Sequence, residues 1–166
     1  MKKLLIYVML SLALLAFVAM VTAEEKPWFD MENCVFCKHL LEDPHLLENM
    51  TYEHYDIANG LLMVSTVKPE FKESYHKAMQ KMEKVGQEMA EGKLTDAYMC
   101  GSCEHYGKLM MAGVKLEHVP FSAGDIVLMT TDDPELLKMV WEHGRHNRDE
   151  LKKWEQMEKE KKKEME

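Results

Sequence analysis

The chain has 166 residues, 46% of them apolar, and a formal net charge of -8. That length allows one domain or two small ones, and the apolar content is enough for a core. Acids outnumber bases and no basic stripe lies between the termini, which excludes nucleic acid as a partner, because phosphate binding needs clustered Lys and Arg.

Residues 1–23 read as a secretory signal peptide. Lys2 and Lys3 precede an uncharged apolar run over residues 4–21, and Val21 and Ala23 place small residues where a signal peptidase cuts. The run is also just long enough to serve as an uncleaved membrane anchor. Either way, residues 24–166 are expected outside the cytoplasm, periplasmic or extracellular, as a single domain. Thiols there are oxidised unless a metal or a reductant protects them.

The chain then repeats itself. Cys34, Cys37 and His39 form a C-x-x-C-x-H motif that returns, 66 residues later, as Cys100, Cys103 and His105. His54 and Gly60 recur 64 residues on as His118 and Gly124, and the pair Pro69 and Glu70 recurs after 65 as Pro134 and Glu135. The expected copies cover residues 33–92 and 99–154. Each reads as helix, β-hairpin, helix.

In the first copy, residues 34–41 are expected to be helical with Asn33 as N-cap. Residues 52–57 alternate as a half-buried strand, a turn follows at Asn59, and residues 61–67 form the return strand. Pro69 opens a helix whose apolar stripe includes Phe71, Tyr75, Ala78, Met82 and Val85, with His76 packed or snorkelling beside it, and Gly92 ends it.

In the second copy, residues 97–112 are a predicted helix, and 114–121 a strand that Pro120 marks as an edge. Residues 126–131 are almost all apolar, as in a strand covered on both faces. Asp133, Pro134 and Glu135 are a strong helix start. Leu137, Val140, Trp141, Gly144, Leu151 and Trp154 carry that helix's apolar stripe, and a Lys- and Glu-rich end follows. His143 and His146, three apart, have the spacing of two ligands on one helix face, but with Arg145, Asn147 and Arg148 around them they are expected on its exposed side. The whole predicts an α+β fold: a duplicated helix–β-hairpin–helix unit whose hairpins join in one four-stranded antiparallel sheet packed with helices, because a lone two-stranded hairpin is unstable.

The chemistry rests on the four cysteines. Two C-x-x-C pairs supply the thiolates of a tetrahedral zinc site, and thiols with imidazoles and 16 methionines also suit copper. The candidate metal ligands are Cys34, Cys37, Cys100 and Cys103, then His39 and His105, then His54 and His118, which share a strand face with Tyr52 and Leu116. The function expected is that of an exported protein that binds a soft or borderline metal, with no turnover required. Two other readings stand beside it. In one, disulfides between the motifs staple an interaction module. In the other, Cys34 attacks and Cys37 resolves in thiol–disulfide exchange. Covalent haem is not expected: it is marked by C-x-x-C-H, and Lys38 and Glu104 occupy the place of that histidine.

Overall fold

The computed structural model describes residues 26–164. The signal or anchor expected over residues 1–23 lies outside the described residues. An irregular N-terminal strap, residues 26–33, leads into a 3-10 turn, Cys37–Leu41, and a second, Leu47–Asn49. Strands β1 (Met50–Ile57) and β2 (Gly60–Val67) form a hairpin. Pro69–Phe71 winds into helix α1 (Lys72–Ala90), and helix α2 (Gly101–Met111) follows. Strands β3 (Lys115–Phe121) and β4 (Gly124–Thr130) form the second hairpin, and helix α3 (Pro134–Glu164) closes the chain.

Local chemistry sets the helix ends. The Asp133 carboxylate accepts the amides of Glu135 and Leu136 at 2.8 and 3.2 Å, so the start of α3 is capped. After α1 the amides of Gly92 and Lys93 return to the carbonyls of Met89 and Glu88. That closure needs a positive φ, which Gly92 supplies at 70°. The helix expected over residues 34–41 is instead the short 3-10 turn. Pro44 stops any helix within two turns, too few to offset the cost of nucleation. Asn33 is not its cap: Asp30 accepts the Asn33 amide at 2.9 Å and organises the turn from upstream.

The strand order is β1-β2-β4-β3, antiparallel throughout, so the two hairpins meet through β2 and β4. Pro120 does lie on an edge strand, where a missing amide costs no ladder bond. In the central pair Gly60 faces Thr130 and Gly124 faces Thr66. Both glycines are dictated by close approach: a Cβ on Gly60 would overlap the Met129 carbonyl oxygen, and one on Gly124 the Ser65 carbonyl oxygen. Gly60→Ala is therefore expected to cost about 3 kcal/mol in urea unfolding, because backbone has to move to admit the methyl. Gly107→Ala is the control. It adds a methyl in open space within α2 and is expected to stabilise by about 0.5–1 kcal/mol.

Helices pack on one face of the sheet. The main core joins Leu61, Met63 and Met129 of the strands to Leu109 of α2 and Val140 of α3, and a second cluster joins Val67 to Tyr75 and Ala78 of α1. The Leu61 side chain lies against Gly144, and Trp141 donates its indole N–H to the Gly60 carbonyl at 3.0 Å. A fork of two bonds from Arg148 to Asp56, 2.9 and 3.0 Å, pins α3 to β1. The other sheet face carries Leu62, Val64, Ile126 and Leu128, all half-buried, and none belongs to a core cluster. Among the described residues no core cluster covers this face, so the second cover expected of β4 is not found there. Strand β4 does hold a central position in the sheet, paired on both sides. Of the two readings of His76 the packed one fails, since it is exposed, one position off the buried stripe of α1.

Candidate metal centre

The two C-x-x-C motifs converge although 62 residues separate Cys37 from Cys100. Cys34 sits at the end of the strap, Cys37 opens the 3-10 turn, Cys100 is the N-cap of α2 and Cys103 lies in its first turn. Backbone bonds hold the halves together. The Val35 amide donates to the Tyr98 carbonyl at 2.9 Å. The first amides of α2, on Gly101 and Ser102, donate to the carbonyls of Pro27 and Trp28 at 3.0 and 2.9 Å. The strap thus satisfies the helix N-terminus that presents Cys100 and Cys103. Gly101 leaves room for it, since a Cβ there would come within 3.0 Å of the Trp28 ring.

The four Sγ atoms lie within 4.8 Å of one another. Cys37 is 3.5 Å from Cys103 and 3.8 Å from Cys100. None of the four is in a disulfide. Cys34, Cys37 and Cys100 are buried and Cys103 is partly exposed, with Met31 and Phe36 packed around them. Hydrogen bonds among the thiols split their acidities. A bond from Cys103 holds Cys100 down to about 6, and one from Cys100 lowers Cys34. Cys37 and Cys103 are pushed up, first by the hydrogen bond each makes with Cys100, which holds its proton in place. Alone, the cluster carries part of its full charge. A cation is what allows all four sulfurs to be thiolates.

The histidines go elsewhere. His39 bonds the Glu42 carboxylate at 2.8 Å. His118 is largely exposed and pairs with Asp125 at 3.1 Å. His54 and His118 lie on the two outer strands of the sheet, so they share no site. His105 turns away from the sulfurs, its Nδ1 lying 3.2 Å from Nδ1 of His143.

His143, expected to be exposed, is only 1% accessible and joins a buried polar network around Asn147 that sequence reading did not find. Asn147, fully buried, accepts the Trp28 indole N–H at 2.6 Å and the Ser102 hydroxyl at 3.0 Å through Oδ1. An indole N–H can only donate, so Oδ1 must face it and Nδ2 must face the other way. There Nδ2 donates to Nε2 of His54, at 2.9 Å, and of His143, at 3.2 Å. Both imidazoles are thereby neutral and carry their proton on Nδ1. His143 then donates to His105, which keeps its own proton on Nε2. Burial holds His54 down to about 4 and His143 down to about 3, in keeping with neutral rings. Nδ1 of His54 is buried without a hydrogen-bond partner among the described residues, edge-on to the Tyr52 ring. Asn147 occupies Nε2 of both His54 and His143, and among the described residues the cluster that could hold a metal consists of the four cysteines without a histidine.

A signal for this network exists in the sequence. Position 147 falls seven residues after Val140 and three after Gly144, on the apolar stripe of α3. A polar residue on such a stripe marks a buried polar contact. Comparison with known proteins brings no further guide: no family model, no curated protein and no solved structure matches the chain.

Proposed function

We propose that the protein binds one zinc ion through the thiolates of Cys34, Cys37, Cys100 and Cys103, and that the ion stabilises the fold. The observation that carries this is the approach of the four sulfurs to within 4.8 Å. A zinc–sulfur distance of about 2.3 Å sets the edges of a thiolate tetrahedron at about 3.8 Å. The Cys37 to Cys103 and Cys37 to Cys100 separations, 3.5 and 3.8 Å, are close to that. Four protein ligands close the coordination shell, which is the pattern of structural rather than catalytic zinc. Copper(I) accepts the same donors, but a closed set of four thiolates suits the tetrahedral preference of zinc. Thiol–disulfide exchange is less well supported, because its nucleophile has to be reached and Cys34 is fully buried. The apolar run over residues 4–21 supports export, and the recurring landmarks support duplication of one ancestral unit.

The test is elemental analysis and thiol counting on one sample, purified without chelator from the compartment that holds it. The expected result is one zinc per chain and four thiols titrated after denaturation with chelator. Disulfides in place of those thiols, with no metal, would overturn the proposal. One copper in place of zinc would keep the site and change the ion.

A further inference from the structure

A cleft of about 420 Å³ lies beside the Asn147 network, which it touches through Trp28 and His105. One wall is a stripe of α3, Glu142, Arg145, His146 and Asp149, and the other is made by Trp28 and His105. Three features set it apart from an ordinary surface groove.

The first is a donor held in place. The Trp28 and Ser102 protons fix Asn147, Asn147 fixes the tautomer of His143, and His143 donates to Nδ1 of His105. Nε2–H is then the one free donor of the His105 ring, and His105 is among the residues that line the cleft. Four buried or half-buried groups are spent on orienting a single N–H bond. A merely structural histidine would need one partner.

The second is a set of charges left without the partners their spacing offers. Glu142 and Asp149 stand three before and four after Arg145, where ion pairs form along a helix. Yet among the described residues Arg145 makes no ion pair, and neither does Glu142. The third is a stiff wall. The Trp28 ring stacks on His146 at 3.8 Å between centroids with 9° between planes, and its N–H is tied to Asn147.

A guanidinium with a neutral N–H donor suits a carboxylate, and a free carboxylate on the same wall suits an ammonium group. We propose that this cleft binds a small amphoteric molecule, an α-amino acid or a short peptide. Its carboxylate lies between Arg145 and the Nε2–H of His105, and its ammonium group faces Glu142. The site is distinct from the four sulfurs but shares with them the strap that carries Trp28, which is why it is tested on the metal-retaining chain. His143 and Asn147 are positioning residues: they touch no ligand and act through His105.

The test is calorimetric titration of the full metal-retaining chain with glycine, triglycine, acetate and ethylammonium, with tryptophan fluorescence followed in parallel. Glycine or triglycine is expected to saturate, and acetate and ethylammonium to bind about tenfold more weakly or worse, since each satisfies one charge. Tighter binding of triglycine would name a peptide as the natural ligand, and of glycine a free amino acid. Arg145→Gln and Glu142→Gln change exposed side chains and should fold normally while each weakens binding about tenfold. Nitrogen NMR of the imidazoles is expected to place the His105 proton on Nε2. Failure of both amphoteric probes to saturate would overturn the proposal. So would acetate binding as well as glycine, variants that bind normally, or a His105 proton on Nδ1.

Discussion

Cys100→Ser is expected to abolish metal retention and to unravel one end of the molecule while the sheet survives. The size of the effect follows from linkage. Structural zinc contributes on the order of 10 kcal/mol of binding free energy that exists only when the ligands are assembled. That rivals the total stability of a small domain, roughly 5–15 kcal/mol. The loss does not fall evenly. The sulfur cluster with Met31 and Phe36 is separate from the core of Leu61, Met63, Leu109, Met129 and Val140. Removing the ion frees the strap, the Cys37–Leu41 turn and the first turn of α2, which are joined to the rest by few backbone bonds. Hydrogen exchange reads this residue by residue. The amides of Val35, Gly101 and Ser102, which bond across the motifs, should lose protection in Cys100→Ser and in wild type treated with chelator. The amides of β2 and β4 should keep theirs. Equal protection with and without chelator would mean that no ion holds this region.

Much of the fold could be read from the sequence because its landmarks are backbone devices. Gly60 and Gly124 mark places where strands β2 and β4 come too close for a Cβ, and Pro120 marks an edge. Asp133 and Pro134 mark a helix start by capping chemistry that acts locally. The four cysteines could be paired as motifs, but their convergence depends on the strap and on the Val35 to Tyr98 bond, which no spacing rule encodes. The histidines were the hardest to place. His39 and His118 repeat faithfully with the motifs, yet each is satisfied by a carboxylate nearby, Glu42 or Asp125. His143 and Asn147 lie among Glu142, Arg145, His146 and Arg148, and the run reads as a solvated face. Helical phase decides otherwise: at 100° per residue the polar run winds around α3, and these two positions turn inward.

That inward turn makes the protein sensitive to acid. An unfolded imidazole titrates near 6.5. Burial is the main reason that His54 stays down to about 4 and His143 down to about 3. For His54 the Arg148 cation adds to the effect and Asp56 opposes it; for His143 the neighbouring rings of His105, His54 and His146 add to it. Above 6.5 neither state takes up a proton and these groups give no pH dependence. Between 6.5 and about 4 the unfolded chain binds protons that the folded chain refuses, so stability falls as pH falls. Below about 3 the loss is complete. Each histidine contributes at most about 1.4 kcal/mol per pH unit, and the pair about 2.7. Urea unfolding at intervals from pH 7.5 to 5, with metal content measured on each sample, should show that slope before any metal is released. His54→Phe keeps the ring volume and removes one of these protons, so the slope below pH 6.5 should fall by up to about half, with His105, which burial also holds below the usual imidazole value, keeping part of the remainder. If the slope is unchanged in that variant, the acid sensitivity comes from the sulfur cluster and the imidazoles are bystanders. If it falls, the neutral state of the network is a condition of folding, and so is the tautomer that Asn147 imposes on it.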